Sequence, residues 1–298
     1  YKGELEKINK NDKELCGYMQ NTIGYTYKLL CEENTQQKEI DIQKANKWYH
    51  KLWKNIVRYC IKGEGTTTTK DTENSIEDWK RQAETYLKKS VENNPKGRYH
   101  QNLGAYYAAI RDYDKALEQY KLAFNAEKRD DKIYNLIGSV LLYRAEMKLG
   151  ISERFQKGIV LSEITLDKID EEERLNIQND IKQAYEWLNL AIKQVNPIIN
   201  AYYNYSKACI YDSLFLGGGS QKMSEADKYL NTVEIIWNMN DSQKPKGYLY
   251  TRRNYWEANK EYDKALEINQ VIMKVDNSGD AKTAERVYDS KKRNKNNG

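Results

Sequence analysis

Catalysis needs a nucleophile beside a base, or a set of metal ligands, and the chain offers few residues for either. It has two histidines, His50 and His100, and four cysteines, Cys16, Cys31, Cys60 and Cys209. No Ser–His–Asp or Cys–His arrangement is suggested by their surroundings, and the cysteines follow no metal-ligand spacing. The stretches "GEGTTTTK" from Gly63 and "LGGGSQK" from Leu216 are rich in glycine. Neither has the glycine-lysine step and preceding strand of a phosphate loop, so both read as interhelical loops. The acidic run Asp170 to Glu173 fits the start of a helix, where carboxylates meet the positive end of the dipole. The sequence therefore predicts no enzyme, no cofactor and no metal.

Charge patterning gives one sharper feature. Lys44, Lys47, Lys51, Lys54 and Arg58 recur at alternating steps of three and four, and no acid interrupts Ile42 to Gly63. On a helix this is a continuous basic stripe beside Trp48, Tyr49 and Trp53. It reads either as the solvated side of an amphipathic helix or as a dock for an acidic segment or polyanion.

The elements that carry these residues are helices. Only 3 prolines and 16 glycines interrupt 298 residues, and apolar positions recur at helical spacing. Charged residues make up 31% and hydrophobic residues 39%, with 25 Tyr against 3 Phe. Tyrosine fills a core while its hydroxyl reaches water, which suits a thin structure with much surface. A net charge of +5 is too mild to argue for nucleic acid. No apolar run of about 18 residues is present, so no span is expected in this chain. The cysteines sit in apolar helical contexts as free thiols, which points to a reducing, cytoplasmic setting. The chain opens on Tyr1 rather than Met, which leaves room for a leader, an anchor or another domain ahead of it.

The hexapeptide "YDKALE" occurs at Tyr113 to Glu118 and again at Tyr262 to Glu267. Before the first copy stand Leu103, Gly104 and Tyr107; within and after it come Ala116, Tyr120 and Ala123. This spacing resembles the tetratricopeptide repeat, a 34-residue helix–turn–helix unit. His100 stands where the family has Trp, and Lys128 where a closing Pro is common. A step of 34 predicts the same pattern at Ile137, Gly138 and Leu141, with Tyr134 in the Trp slot. Ala184, Leu188 and Ala191 then follow, with Pro197 after them. Tyr202, Tyr205, Ser206 and Cys209 restart the first-helix pattern, and Ala226, Leu230 and Val233 supply its second helix after the 216–222 loop. Ala83 and Leu87 look like an earlier second helix, with Trp53, Ile56 and Cys60 as its first. On this count the two hexapeptides lie four 34-residue steps plus 13 residues apart.

The resemblance implies an all-α fold: a right-handed solenoid of antiparallel helix pairs over 40–277, preceded by a helical extension over 1–39. Residues 278–298 read as a capping helix and a disordered basic tail. Residues 151–180 fit the repeat poorly and read as a degenerate unit or an inserted helical hairpin, and the insertion is favoured. Arg252 and Arg253 replace the Leu-Gly pair, so the last two helices should pack less closely.

In such a repeat the first helices line a concave groove that binds peptides. The resemblance places Gln101, Ala105 and Ala108 on that face, then Asn135, Ser139 and Tyr143, then Tyr203, Lys207 and Tyr211, and last Tyr250, Asn254 and Glu257. Gln101 and Ala105 occupy the leading Lys and Asn slots of the family's carboxylate clamp, so a chaperone-tail role is not supported. Tyrosines and amides give adaptable contacts. The expectation is a non-enzymatic scaffold with a protein or peptide partner. The alternatives are a regulatory or sensory region of a larger protein, and polyanion binding through the 44–58 stripe.

Overall fold

A computed structural model describes residues 76–93, 95–126, 131–237, 244–275 and 279–296. The expected 1–39 extension, the helix carrying Lys44 to Arg58, Cys16, Cys31, Cys60 and the 63–72 loop lie outside the described residues. Within them are ten α-helices and no strand. They are α1 (Ile76–Asn93), α2 (Gly97–Ala109), α3 (Tyr113–Ala126), α4 (Asp131–Lys148), α5 (Glu171–Ile192), α6 (Ile199–Phe215), α7 (Gly219–Trp237), α8 (Lys246–Ala258), α9 (Tyr262–Val275) and α10 (Gly279–Asn296). No helix among the described residues is long and apolar enough to cross a membrane. The chain divides into two compact units between Arg129 and Asp130.

In the first unit α2 packs on α1 and on α3. Ala83 and Leu87 of α1 are fully buried, as are Ala116 and Ala123 of α3. A Cβ on Gly104 would stand 2.7 Å from the Tyr120 ring and 3.2 Å from the Ala116 carbonyl oxygen, so the two helices approach at a point only glycine permits. Tyr107 donates to Glu84 on α1 at 3.0 Å. His100 is buried and its Nδ1 lies 2.9 Å from Gln119 Oε1, a packing position.

The second unit pairs α4 with α5, α6 with α7, and α8 with α9, and α10 covers α9. Helix α6 also touches α4, α5 and α8. Gly138 repeats the role of Gly104: a Cβ there would meet Leu188 Cγ at 2.5 Å and the Ala184 carbonyl at 3.2 Å. Arg144 clamps the same pair, forming two bonds of 2.9 and 2.6 Å to the buried Asp180. Ala226, Leu230 and Val233 of α7 and Ala265 of α9 are buried.

The repeated hexapeptide follows the same turn both times. Arg111 and Lys260 take left-handed backbone, with φ of 65° and 59°. The amide of Arg111 bonds back to Ala108 and that of Asp112 to Tyr107, while Lys260 bonds to Glu257 and Glu261 to Trp256. These paired bonds cap the preceding helix, and glycine usually holds the left-handed site because a Cβ crowds there. Replacing Lys260 with Gly is therefore expected to raise stability by about 0.5 kcal/mol, since relieved backbone strain outweighs the added freedom of the unfolded chain. A thermal melt that drops instead would show that the lysine side chain outweighs the strain.

Several sequence expectations change. Only three pair-to-pair steps separate the hexapeptides, because α4 and α5 form one pair split by residues 149–170. That segment holds two 3-10 turns, Ile151–Glu153 and Leu161–Glu163, and no α-helix. The expected hairpin is thus an irregular strap, and "EEERLNIQ" opens α5, with Asp170 capping the amide of Glu173 at 2.9 Å. Helix α7 begins at Gly219, so the 216–222 loop shrinks to its first residues. At the other end α10 continues to Asn296, because Lys291 and Lys292 pair with Glu163 and Asp263 where solvated tail residues were expected. Arg252 and Arg253 are buried. Arg252 reaches Asp227 and Asn231 on α7, and Arg253 reaches Asn269 on α9 and Asp280 on α10.

Candidate functional site

The side chains expected on the first-helix face gather at two places in the second unit, on α4 with α6 and on α8. Asn135 and Asn204 are buried, and the Asn204 side-chain amide donates a hydrogen bond to Asn135 Oδ1 at 3.0 Å. They fasten α4 to α6 and are not open to a ligand. Ser139 is buried too, its hydroxyl donating to the Leu136 carbonyl. One turn and more along, Lys207 reaches Glu146 at 3.0 Å and lies over the Tyr143 ring at 5.2 Å. Tyr211 donates to the same Glu146 at 2.5 Å. Tyr143 is 39% exposed and forms the outer edge of the group. Tyr203 is half-buried, and a Cβ on Gly247 of α8 would press on its ring at 2.8 Å.

The electrostatics of this group are closed on themselves. Burial works against the Lys207 charge, but Glu146 and the two neighbouring tyrosines more than offset it and its pKa is raised. Burial, helped by the nearby Tyr143 and opposed by Lys207, pushes Tyr203 up to about 12. Burial and Glu146 hold Tyr211 well above the ordinary tyrosine value. A group whose pKa rises on folding contributes stability that is full below its unfolded value and fades as pH passes upward through the folded one. The melting temperature is therefore expected to fall steeply between about pH 10 and pH 12, as Tyr203 and its neighbours are forced to ionise. A flat profile to pH 11.5, with tyrosine absorbance titrating at the ordinary value, would contradict this environment.

The α8 positions are occupied. Glu257 is fully buried and Asn254 nearly so. Arg154 of the strap donates to both Glu257 oxygens at 3.1 Å and to Asn254 Oδ1 at 2.9 Å. The Leu161 amide donates to Glu257 at 2.5 Å and the Tyr288 hydroxyl of α10 at 2.9 Å. Arg154 is 4% exposed and lies 4.0 Å above the Phe155 ring. Burial opposes its charge, but Glu257 outweighs this and raises its pKa. Tyr250 stays half-buried, with the Arg253 guanidinium 4.8 Å from its ring.

Gln101 lies in the first unit, half-buried on α2 beside Ala105 and Ala108. Of the expected positions, the structure thus brings Tyr143, Tyr203 and Lys207 together. It ties Asn135 and Tyr211 into helix–helix contacts and covers Asn254 and Glu257. Sequence reasoning missed Arg154, Phe155 and Glu146. The one available signal was "RF" followed by "VL" in a stretch otherwise polar and poor in helix pattern. No family model and no curated protein matches the chain.

Proposed function

We propose that the protein is a tetratricopeptide-like solenoid that works as a non-enzymatic scaffold, holding a peptide or partner protein on the first-helix face of α4 and α6. The observation that carries this reading is a segment without α-helix, residues 154–163, already laid on α8 and held by side chains rather than by helix packing. A surface that receives one polypeptide segment has the chemistry to receive another; on α4 and α6 that chemistry is the Tyr143 and Tyr203 rings beside the paired Lys207. Contacts of α6 with both α4 and α8 support the repeat-like row of first helices, and the two capped hexapeptide turns support a common unit. On the α4–α6 part the half-exposed Tyr143 offers a rigid aromatic anchor beside Lys207.

The test is to pan a random peptide library on the full chain and measure a selected peptide by fluorescence anisotropy. Tyr143→Ala is expected to weaken binding at least tenfold; because the residue is only 39% exposed, a drop of several °C in melting temperature is also expected, and binding is measured well below the melt. Selected peptides indifferent to Tyr143 and Lys207 would remove the α4–α6 face from consideration and favour the Lys44 to Arg58 stripe or Gln101 instead.

A further inference from the structure

The strap and its seat differ in kind. The seat is made by α8, α9 and α10, which hold one another without it. Asn269 donates to the Ala281 carbonyl at 2.7 Å, Arg253 reaches Asp280 at 3.1 Å, and Leu249, Ile272 and Ala281 share one apolar cluster. The strap adds neither α-helix nor strand to this framework. Its backbone bonds run within itself, from Glu153 to Gly150, Ile159 to Arg154 and Glu163 to Val160. What crosses to the seat is a set of side-chain recognitions. Arg154 enters the Glu257–Asn254 pocket, Phe155 packs edge-on against Tyr288 at 5.6 Å, and Val160 joins Ala265, Ala284 and Tyr288. Glu257 also takes a main-chain amide, that of Leu161. An arginine, an aromatic and a buried main-chain contact are the usual anchors of a polypeptide interface. On both sides of this run the chain is exposed, at Ser152 and Glu153 before it and at Asp167 and Lys168 after it.

We infer that the α8–α9–α10 surface around Glu257 is a peptide-binding site filled in this chain by its own residues 154–166. Its ligand class is a turned, non-helical segment carrying an arginine followed by an aromatic residue, with an apolar pair five to six residues beyond the aromatic. This rests on the scaffold reading above and names the partner chemistry of its α8 end. A partner with that pattern competes with the strap, so the strap sets a threshold that such a partner must exceed.

The experiment cuts the strap free. Protease sites are placed at 152–153 and 167–168 of the full chain, both are cleaved, and a fluorescein-labelled peptide of residues 154–166 is offered to the cut protein. The expected result is saturable one-to-one exchange, with Arg154→Ala or Phe155→Ala peptide binding at least 30-fold more weakly. The uncut protein is expected to take the same peptide at least 100-fold more weakly, because its tethered strap acts at an effective concentration near the millimolar range. Hydrogen exchange on the uncut chain is a second measurement: strap amides such as Leu161 should exchange at least 100-fold faster than those of Ala265 and Ala284. Loss of helix on cutting, indifference to Arg154, or strap amides that exchange together with α9 and α10 would each show the strap to be core, and overturn the inference. Because the exchange needs no foreign partner, its failure leaves the Tyr143-dependent panning result standing, and the reverse also holds.

Discussion

Replacing Glu257 with Ala should lower stability by about 3–5 kcal/mol, the cost of leaving a buried charge without its partner. The melting temperature of a chain this size would then drop on the order of 10 °C. Glu257 has no exposed surface, and Arg154 across from it has almost none. The single change strips acceptors from the Arg154 guanidinium, the Leu161 amide and the Tyr288 hydroxyl at once. Removing both charges, as Arg154→Met with Glu257→Leu, should recover only the part of the loss due to the stranded guanidinium, because the Leu161 amide and the Tyr288 hydroxyl still lack their acceptor. Calorimetric melts of the two single variants and the double variant decide this. A Glu257→Ala protein that melts within about 2 °C of the original would mean that Arg154 swings out to water.

The second large effect is expected at the helix crossings. Gly138→Ala places a methyl 2.5 Å from Leu188 Cγ and 3.2 Å from a backbone carbonyl. The branched leucine cannot yield without moving α4 from α5, so the cost should lie in the range of about 1–3 kcal/mol typical of overpacking. Adding Leu188→Ala makes room for the methyl, and the double variant should then be more stable than the sum of the two single losses predicts. Gly104→Ala meets the flat side chain of Tyr120 and the Ala116 carbonyl, so it should be destabilising in the same sense. Urea melts that leave either glycine variant unchanged would show that the helices can part enough to admit the methyl.

The pattern of small and large residues made the packing legible. Leu103, Tyr107, Ala116, Tyr120, Ala184, Leu188, Ala226 and Leu230 were all nominated by spacing, and all are buried. Spacing records which side of a helix faces a neighbour, since burial selects apolar residues at one face. It does not record which helix is the neighbour. Ala184 lies two steps of 34 from Ala116 yet packs in the very next pair, because the strap intervenes inside that pair rather than between pairs. The candidate site was legible only in part. The structure brings Tyr143, Tyr203 and Lys207 near one another. Asn254 and Glu257 are buried beneath Arg154, and an irregular segment leaves no periodic trace that would reveal what covers them. The basic run at 44–58 lies outside the described residues.

The strap also changes how the second unit holds together in time. A row of helix pairs has contacts mainly between neighbours, and such a row can fray from either end one pair at a time. Arg154 and Glu257 are 103 positions apart, and their bond joins the first pair of this unit to the last. The final helices cannot peel away until that long closure opens, and the first pair cannot seat its strap until the final helices exist. While the strap is seated the first and last pairs should therefore open together, and once it is displaced they should fray separately. The unit should also fold more slowly than a row of its length without the strap, since a closure of that span must be made before its contacts are gained.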